Sequence, residues 1–533
     1  MQSGEQNQAL SSALKGKTRL RVFGLTFDDV MRYFFGGNAT VAVVVLALIL
    51  IFLLKEGAGF FGQNHTNIRV YRKAGLEYVD IMRAPLEEFS SLTRSLNDVR
   101  LKRFRTLLAQ GKDVAAANEA LTPFDDFANA FGAAASEARG VVSDTTEVAS
   151  AVKTRAQVSA DREEEKAMLL HSGKAAEAAA LKVDEVNYEA EIKMITGTAP
   201  VWKAASLEMQ EKLGAALVVA RAADWSKGDK DLAKVLEKTE RFISDLPKGE
   251  SRMAAWRWDE PVPFSRAVTA FLFGREWLTA SFWQDWYGIL PLLVGSLVVS
   301  LIAMVIAVPF AIAAAIYISE VATPGEKAVI KPYIEFISAI PSVVLGFFGV
   351  AVLGTALRSL SQVEWLHWIP GFPMTERLNA LTAGCLLAFT SIPTIFSLAE
   401  DALSNVPKHF KEASFALGAT RFQTLVRVLI PASLSGIISA VLLGFGRVIG
   451  ETMVVLLCAG NRIAIPDFTE GLSALYQPVH TMTGIIAQEM GEVAQGSIHY
   501  RALFMVGIIL FTVSLLINFL AQRVVRKYRI SIG

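Results

Sequence analysis

The sequence predicts an all-α, polytopic membrane protein with six transmembrane helices and a large extracytoplasmic helical insert. Three observations carry this. The 533 residues are 52% hydrophobic and only 19% charged, below the roughly 25% charged residues of an average soluble chain, and the mean hydropathy is +0.39. Apolar, nearly uncharged stretches recur at lengths that suit a bilayer. Between the first and second of them, residues 57–261 hold no segment apolar enough to span and repeat their apolar positions at helical spacing.

The totals also exclude classes of function. A formal net charge of +1 gives no global field for nucleic acid or an acidic partner. Cys385 and Cys458 both fall inside apolar spans, so no disulfide framework is expected. No G-x-x-x-x-G-K-[ST] loop occurs, so an ATP-driven role would place the ATPase on a separate polypeptide.

In chain order, residues 1–38 carry Lys15, Lys17, Arg19, Arg21 and Arg32, too long a basic segment for a signal peptide, and no small-residue cleavage site follows. The positive-inside rule then makes this segment cytoplasmic and residues 39–56 an uncleaved first span, apolar from Ala39 to Leu54. Within 57–261, Phe89, Leu92, Leu96 and Val99, and later Leu232, Leu236 and Ile243, mark apolar stripes on long helices whose mixed charges belong to solvated faces. His65 and His171 lie far apart, and no metal or catalytic constellation is legible there. In residues 262–289, Trp277, Trp283, Trp286 and Tyr287 cluster just ahead of an apolar run. They predict an interfacial aromatic segment, with a packed soluble core as the competing account.

The second span is predicted over 290–319, kinked at Pro309, followed by a short cytoplasmic loop, TPGEK. A third is predicted over 332–357, with Glu335, Ser338, Pro341 and Ser342, and a fourth over 378–398, with Thr390, Ser391, Pro393 and Thr394. These hydroxyls either line a path or simply bond back to helix carbonyls. The fifth span follows Pro431, and the sixth, over 502–521, closes on the basic run RVVRKYR. Six spans place both termini and the basic 401–430 loop on the cytoplasmic side, in agreement with the charge rule.

Arg447 and Glu451 are the only charged residues between Arg427 and Arg462. Arg447 stands sixteen residues beyond Pro431, about 24 Å along a helix and so near mid-membrane. A guanidinium there costs on the order of 3 kcal/mol and should face a cavity or a partner. Glu451, one turn on, is the expected partner. A purely structural ion pair is one account; the other is a bidentate fork offered to a passing oxyanion.

Residues 404–431 predict two short helices, the first capped by Ser404 or Asn405 with Pro407 in its first turn and a left-handed end at Gly418, the second opened by a Thr420–Gln423 capping box. The spacing of Glu412, Ala413, Gly418, Val428, Ile430 and Pro431 resembles the EAA loop of ABC importer permeases. Residues 290–533 resemble a MetI-like permease core with five helices. Within that superfamily the text is most similar to the phosphate-specific PstC permeases, through YGILPLLVGSLVVSLIAMVIAVPFAIAAAIYISE at 287–320, ISAIPSVVLGFFG at 337–349 and GRVIGETMVVLLCAGN at 446–461. The insert departs from the shorter family pattern.

The resemblance implies a permease subunit of an ATP-driven importer that forms the transmembrane path for inorganic phosphate in a bacterial inner membrane. It implies no catalysis and no cofactor or metal site in this chain, with ATP and Mg bound by a partner ATPase dimer. A second, PstA-like permease and an extracytoplasmic phosphate-binding protein complete the expected assembly. The implied substrate path takes in Arg447, Glu451, Thr452, Ser342 and Thr394, and the implied coupling surface Glu412, Ala413, Gly418 and Pro431. Competing accounts are a permease for phosphonate, molybdate or sulfate, an ion-coupled secondary transporter using Arg447 and Glu451 as a relay, and a sensor built on the insert.

Overall fold

The computed structural model describes residues 21–22, 25–279, 284–366 and 368–528. Lys15, Lys17, Arg19, Trp283 and Arg529, each part of an expectation above, lie outside the described residues. The chain divides into two units, one formed by residues 1–60 and 289–533 and the other by 61–288. Six helices among the described residues are long and apolar enough to cross a membrane.

In the first unit the first span belongs to helix Phe27–Ala58, longer than its apolar stretch. The second span, Leu290–Ile316, passes its internal Pro309 and ends in a π-turn, Tyr317–Val321. The fourth, Ala380–Ser404, packs along the second. Their closeness follows from small residues: a Cβ on Gly384 would lie 2.5 Å from Ile302 Cγ2, and one on Gly444 of the fifth span 2.5 Å from Ile395 of the fourth. In lipid, where burying Leu against Leu gains nothing over burying it in acyl chains, such contacts let dispersion hold helices together. The shared core runs through Ala303, Ala307, Ala311, Ala383, Phe396, Ala399 and Ala440, all buried.

Several sequence expectations change here. TPGEK is not a loop but a helix start: Thr323 and Glu326 form a capping box, and Pro324 opens helix Pro324–Ile337. The third span does not begin at residue 332. The chain breaks before Pro341, which cannot donate an amide and disfavours helix in its predecessor, so the membrane-length segment is Ser342–Ser361. Glu335 and Ser338 consequently fall on the preceding helix and just past it.

The second unit is helical, with long helices Leu76–Ala109, Val114–Ala133, Ser136–His171 and Ala199–Ala222 and the shorter Lys230–Asp245 and Phe264–Phe273. The predicted stripes are its core: Phe89, Leu92, Leu96 and Val99 are buried with Leu232 and Leu236, and Ile243 packs against them. Phe89 stacks on Phe131 with ring centroids 5.2 Å apart. Asp113 and Asp229 cap two of the helices through backbone amides. Trp277 and Tyr287 correct the interfacial expectation. They pair in a two-stranded hairpin and are only 4% and 3% exposed, and Trp286 packs edge-on against Tyr71. These rings complete a folded core, where an interfacial belt would leave them exposed.

Candidate substrate path and coupling surface

The fifth span is a continuous helical stretch, Arg421–Ile449, interrupted by a π-turn at Leu425–Leu429. Arg447 occupies its last turn, and Gly450 caps it. From this position Arg447 Nη1 donates to Thr394 Oγ1 of the fourth span at 2.8 Å. Thr394 differs from its neighbours: Thr390 and Ser391 both bond back to the carbonyl of Leu387, the bland use of a hydroxyl in a helix.

Glu451 is not the partner of Arg447. The helix has ended at Ile449, so Glu451 lies in non-helical chain, off the helical register that would bring its carboxylate to the guanidinium. Among the described residues no ion pair joins the two. Instead the backbone carbonyl of Glu451 accepts a bond from Thr483 Oγ1 at 2.9 Å. Thr452 follows in the same irregular stretch and precedes the short helix Met453–Cys458. Ser342 opens helix Ser342–Phe348, half-buried, with no contact to Arg447 or Thr394 among the bonds described. The structure thus brings Arg447 and Thr394 together, places Glu451 and Thr452 a few residues beyond them, and leaves Ser342 on a separate helix.

Sequence reasoning missed the chain between the fifth and sixth spans. Met453–Cys458 and Met482–Glu489 are short apolar helices, below spanning length and therefore invisible to a hydropathy count. They pack closely. A Cβ on Gly295 of the second span would fall 2.1 Å from the His480 carbonyl, and Ser296 Oγ accepts the Met482 amide at 2.9 Å. Cys458 donates to the Gly346 carbonyl at 3.3 Å. The available signal was glycine: Gly295, Gly346 and Gly349 each sit where a side chain would collide with these segments.

At the other end of the fifth span, helix Lys408–Ala416, Gly418 and helix Arg421–Thr424 form a hairpin. Gly418 adopts φ +80°, and Thr420 with Gln423 forms the capping box. Neither Ser404 nor Asn405 caps the first helix. The fourth-span helix runs on to Ser404 and uses Asn405 as its own C-cap, leaving Pro407 in the N-cap position. Ser414 and Thr424 hydroxyls bond across the hairpin at 2.9 Å, both buried. Its outer face exposes Glu412, Ala413, Phe415, Leu417 and Phe422, with Leu417 89% exposed, and Pro431 is exposed where the span resumes.

Residues 307–530 match the family described as the binding-protein-dependent transport system inner membrane component. The chain is 35% identical over 258 residues to the probable ABC transporter permease protein YqgH of Bacillus subtilis, a match spanning 46% of this chain and 78% of that one. It is 31% identical over 266 residues to the phosphate transport system permease protein PstC of Haemophilus influenzae, spanning 48% and 82%. Over 261 residues it is 32% identical to PstC of Mesorhizobium japonicum, spanning 47% and 78%. A chain from inward facing conformations of the MetNI methionine ABC transporter aligns over 45% of this chain and 94% of its own, at 19% identity and a TM-score of 0.33, too low to add weight. The extent of the permease matches, over the segment that holds these spans and this hairpin, makes the chain a multi-pass membrane protein belonging to the MetI-like family of binding-protein-dependent transport system inner membrane components, the permeases of ABC transporters.

Proposed function

We propose that this permease forms, with a second PstA-like permease, the transmembrane path for inorganic phosphate, driven by a cytoplasmic ATPase dimer that binds ATP and Mg and supplied by an extracytoplasmic phosphate-binding protein. Both termini and the 408–424 hairpin are then cytoplasmic, and the 61–288 unit stands on the opposite side, in the periplasm. The carrying observation is Arg447: an exposed guanidinium at a span's end, held by a neutral hydroxyl and free of any carboxylate among the described residues. A guanidinium so placed keeps most of its five donors and its full charge for a tetrahedral oxyanion. Similarity to PstC proteins favours phosphate among oxyanions.

The hairpin supplies the coupling surface. Exposed Phe415, Leu417 and Phe422 on a glycine-hinged turn suit a groove in the ATPase, where burying rings contributes most of the contact energy. The test is uptake of radiolabelled phosphate by cells whose only phosphate importer contains this subunit. Saturable, ATP-dependent uptake that excess sulfate, molybdate or phosphonate does not displace is expected. Displacement by one of those anions would assign the path to it instead.

A further inference from the structure

The hairpin is covalently continuous with the fourth and fifth spans but not with the second, although the second packs along the fourth and lines the same core. Among the described residues an ion pair bridges that gap. Lys411 Nζ, on helix Lys408–Ala416, lies 2.5 Å from Glu320 Oε1, and the two side chains are 29% and 15% exposed. Glu320 sits on the π-turn Tyr317–Val321 that ends the second span. Lys327 holds the same turn from its other side, donating to the Ser319 carbonyl at 3.2 Å. A second pair, Lys331–Glu400 at 2.8 Å, fastens helix Pro324–Ile337 to the end of the fourth span. The hairpin itself is braced by the buried Ser414–Thr424 bond and the Thr420 capping box.

We infer that the Lys411–Glu320 ion pair is the strut through which displacement of the ATPase-docked hairpin reaches the second span. The inference rests on the docking role proposed above. An ion pair this sheltered from water resists stretching far more than an exposed one, because the lower local dielectric strengthens the attraction while separation would leave each charge poorly solvated. The spans continuous with the hairpin move with it through the chain; the second span moves with it through this pair. Lys411 and Glu320 are positioning residues, touching neither substrate nor nucleotide.

Charge reversal tests this in the assembled transporter. Lys411→Glu and Glu320→Lys singly should leave ATP hydrolysis near wild type and lower phosphate moved per ATP by about tenfold, within the range of ordinary coupling energies; the double reversal should restore it. A readout independent of substrate uses spin labels at Val321→Cys and Lys408→Cys, both exposed and neither in the docking face, with Cys385 and Cys458 replaced by Ser. Their distance distribution should stay the same when ATP is added to the wild-type background. It should shift with ATP in Lys411→Glu and hold again in the double reversal. An equal ATP-driven shift with and without the pair overturns the strut, as does a double reversal that assembles and hydrolyses ATP but stays uncoupled. If single reversals fail to assemble, the double reversal alone decides: its coupling supports the strut, and its failure to couple or assemble rejects it. Failure of the docking role is separately visible, because the ATPase would then still bind a chain carrying Gly418→Val, and the inference would fall with it.

Discussion

Arg447 and Thr394 are joined by a 2.8 Å hydrogen bond across the fourth and fifth spans, while Glu451, four positions on in the sequence, turns its backbone to Thr483. The hydroxyl orients the guanidinium without neutralising it. Thr394→Val, which removes the acceptor and keeps the shape, should therefore lower phosphate uptake about fivefold, the effect of losing roughly 1 kcal/mol of orienting bond. Thr394→Ser should stay near wild type. Uptake normalised to membrane abundance checks both.

Gly418 holds φ +80° with open space where a Cβ would stand, so strain is purely conformational. Gly418→Ala should destabilise the hairpin by about 1–2 kcal/mol through the left-handed backbone alone, and Gly418→Val by more. Co-purification of the ATPase with the permease should weaken in that order, and transport with it.

The insert should fold alone, and its boundaries matter. Ala267, Phe271, Trp277 and Tyr287 are buried in its own unit, so a fragment of residues 61–288 should give a cooperative thermal transition, whereas one ending at residue 261 loses these core groups and should melt several degrees lower. Circular dichroism on the two fragments measures this. Protease added to spheroplasts should reach the insert in intact cells; cleavage only after lysis would reverse the proposed topology.

Much of this was legible from local rules. The stripes Phe89–Leu92–Leu96–Val99 and Leu232–Leu236 predicted helices and their buried faces, because period and burial coincide in a long amphipathic helix. Gly418 and the Thr420–Gln423 box were readable because turn and cap chemistry is set within a few residues. What failed was non-local. Trp277 and Tyr287 read as interfacial from their neighbours, but their environment depends on packing partners distant in sequence. Hydropathy ran through Pro341, since composition says nothing of where a missing amide ends a helix. Sequence spacing pairs Glu451 with Arg447 only if the helix continues, and its end at Ile449 separates them.

Burial pushes the Asp80 carboxyl up to about 6, with the Tyr71 hydroxyl donating to it and Arg83 nearby both opposing the shift. Because its folded value exceeds the unfolded 3.8, the folded insert holds this proton more tightly; the contribution is present below about pH 4 and lost as pH rises through about 6. Glu77 behaves oppositely. Burial raises it, but hydrogen bonds from Arg72 and Arg266 outweigh burial and hold it below the usual carboxylate range, so its contribution is lost as pH falls. Asp80→Asn should remove the loss between pH 4 and 7, on the order of 2–3 kcal/mol, leaving the acid-side loss of Glu77. Denaturant melts of the 61–288 fragment across that range test it.

The central claim, that Arg447 meets the transported anion, is tested most directly by radiolabelled phosphate uptake in the Arg447→Gln, Glu451→Gln double variant at normal membrane abundance. A guanidinium whose neighbour is a hydroxyl should not be rescued by removing a carboxylate it does not touch, so the assembled double variant should be as inactive as Arg447→Gln alone, with Arg447→Lys partly active for want of the planar fork. Recovery of uptake in the double variant would contradict the account, since two charges that can be deleted together without loss serve only each other.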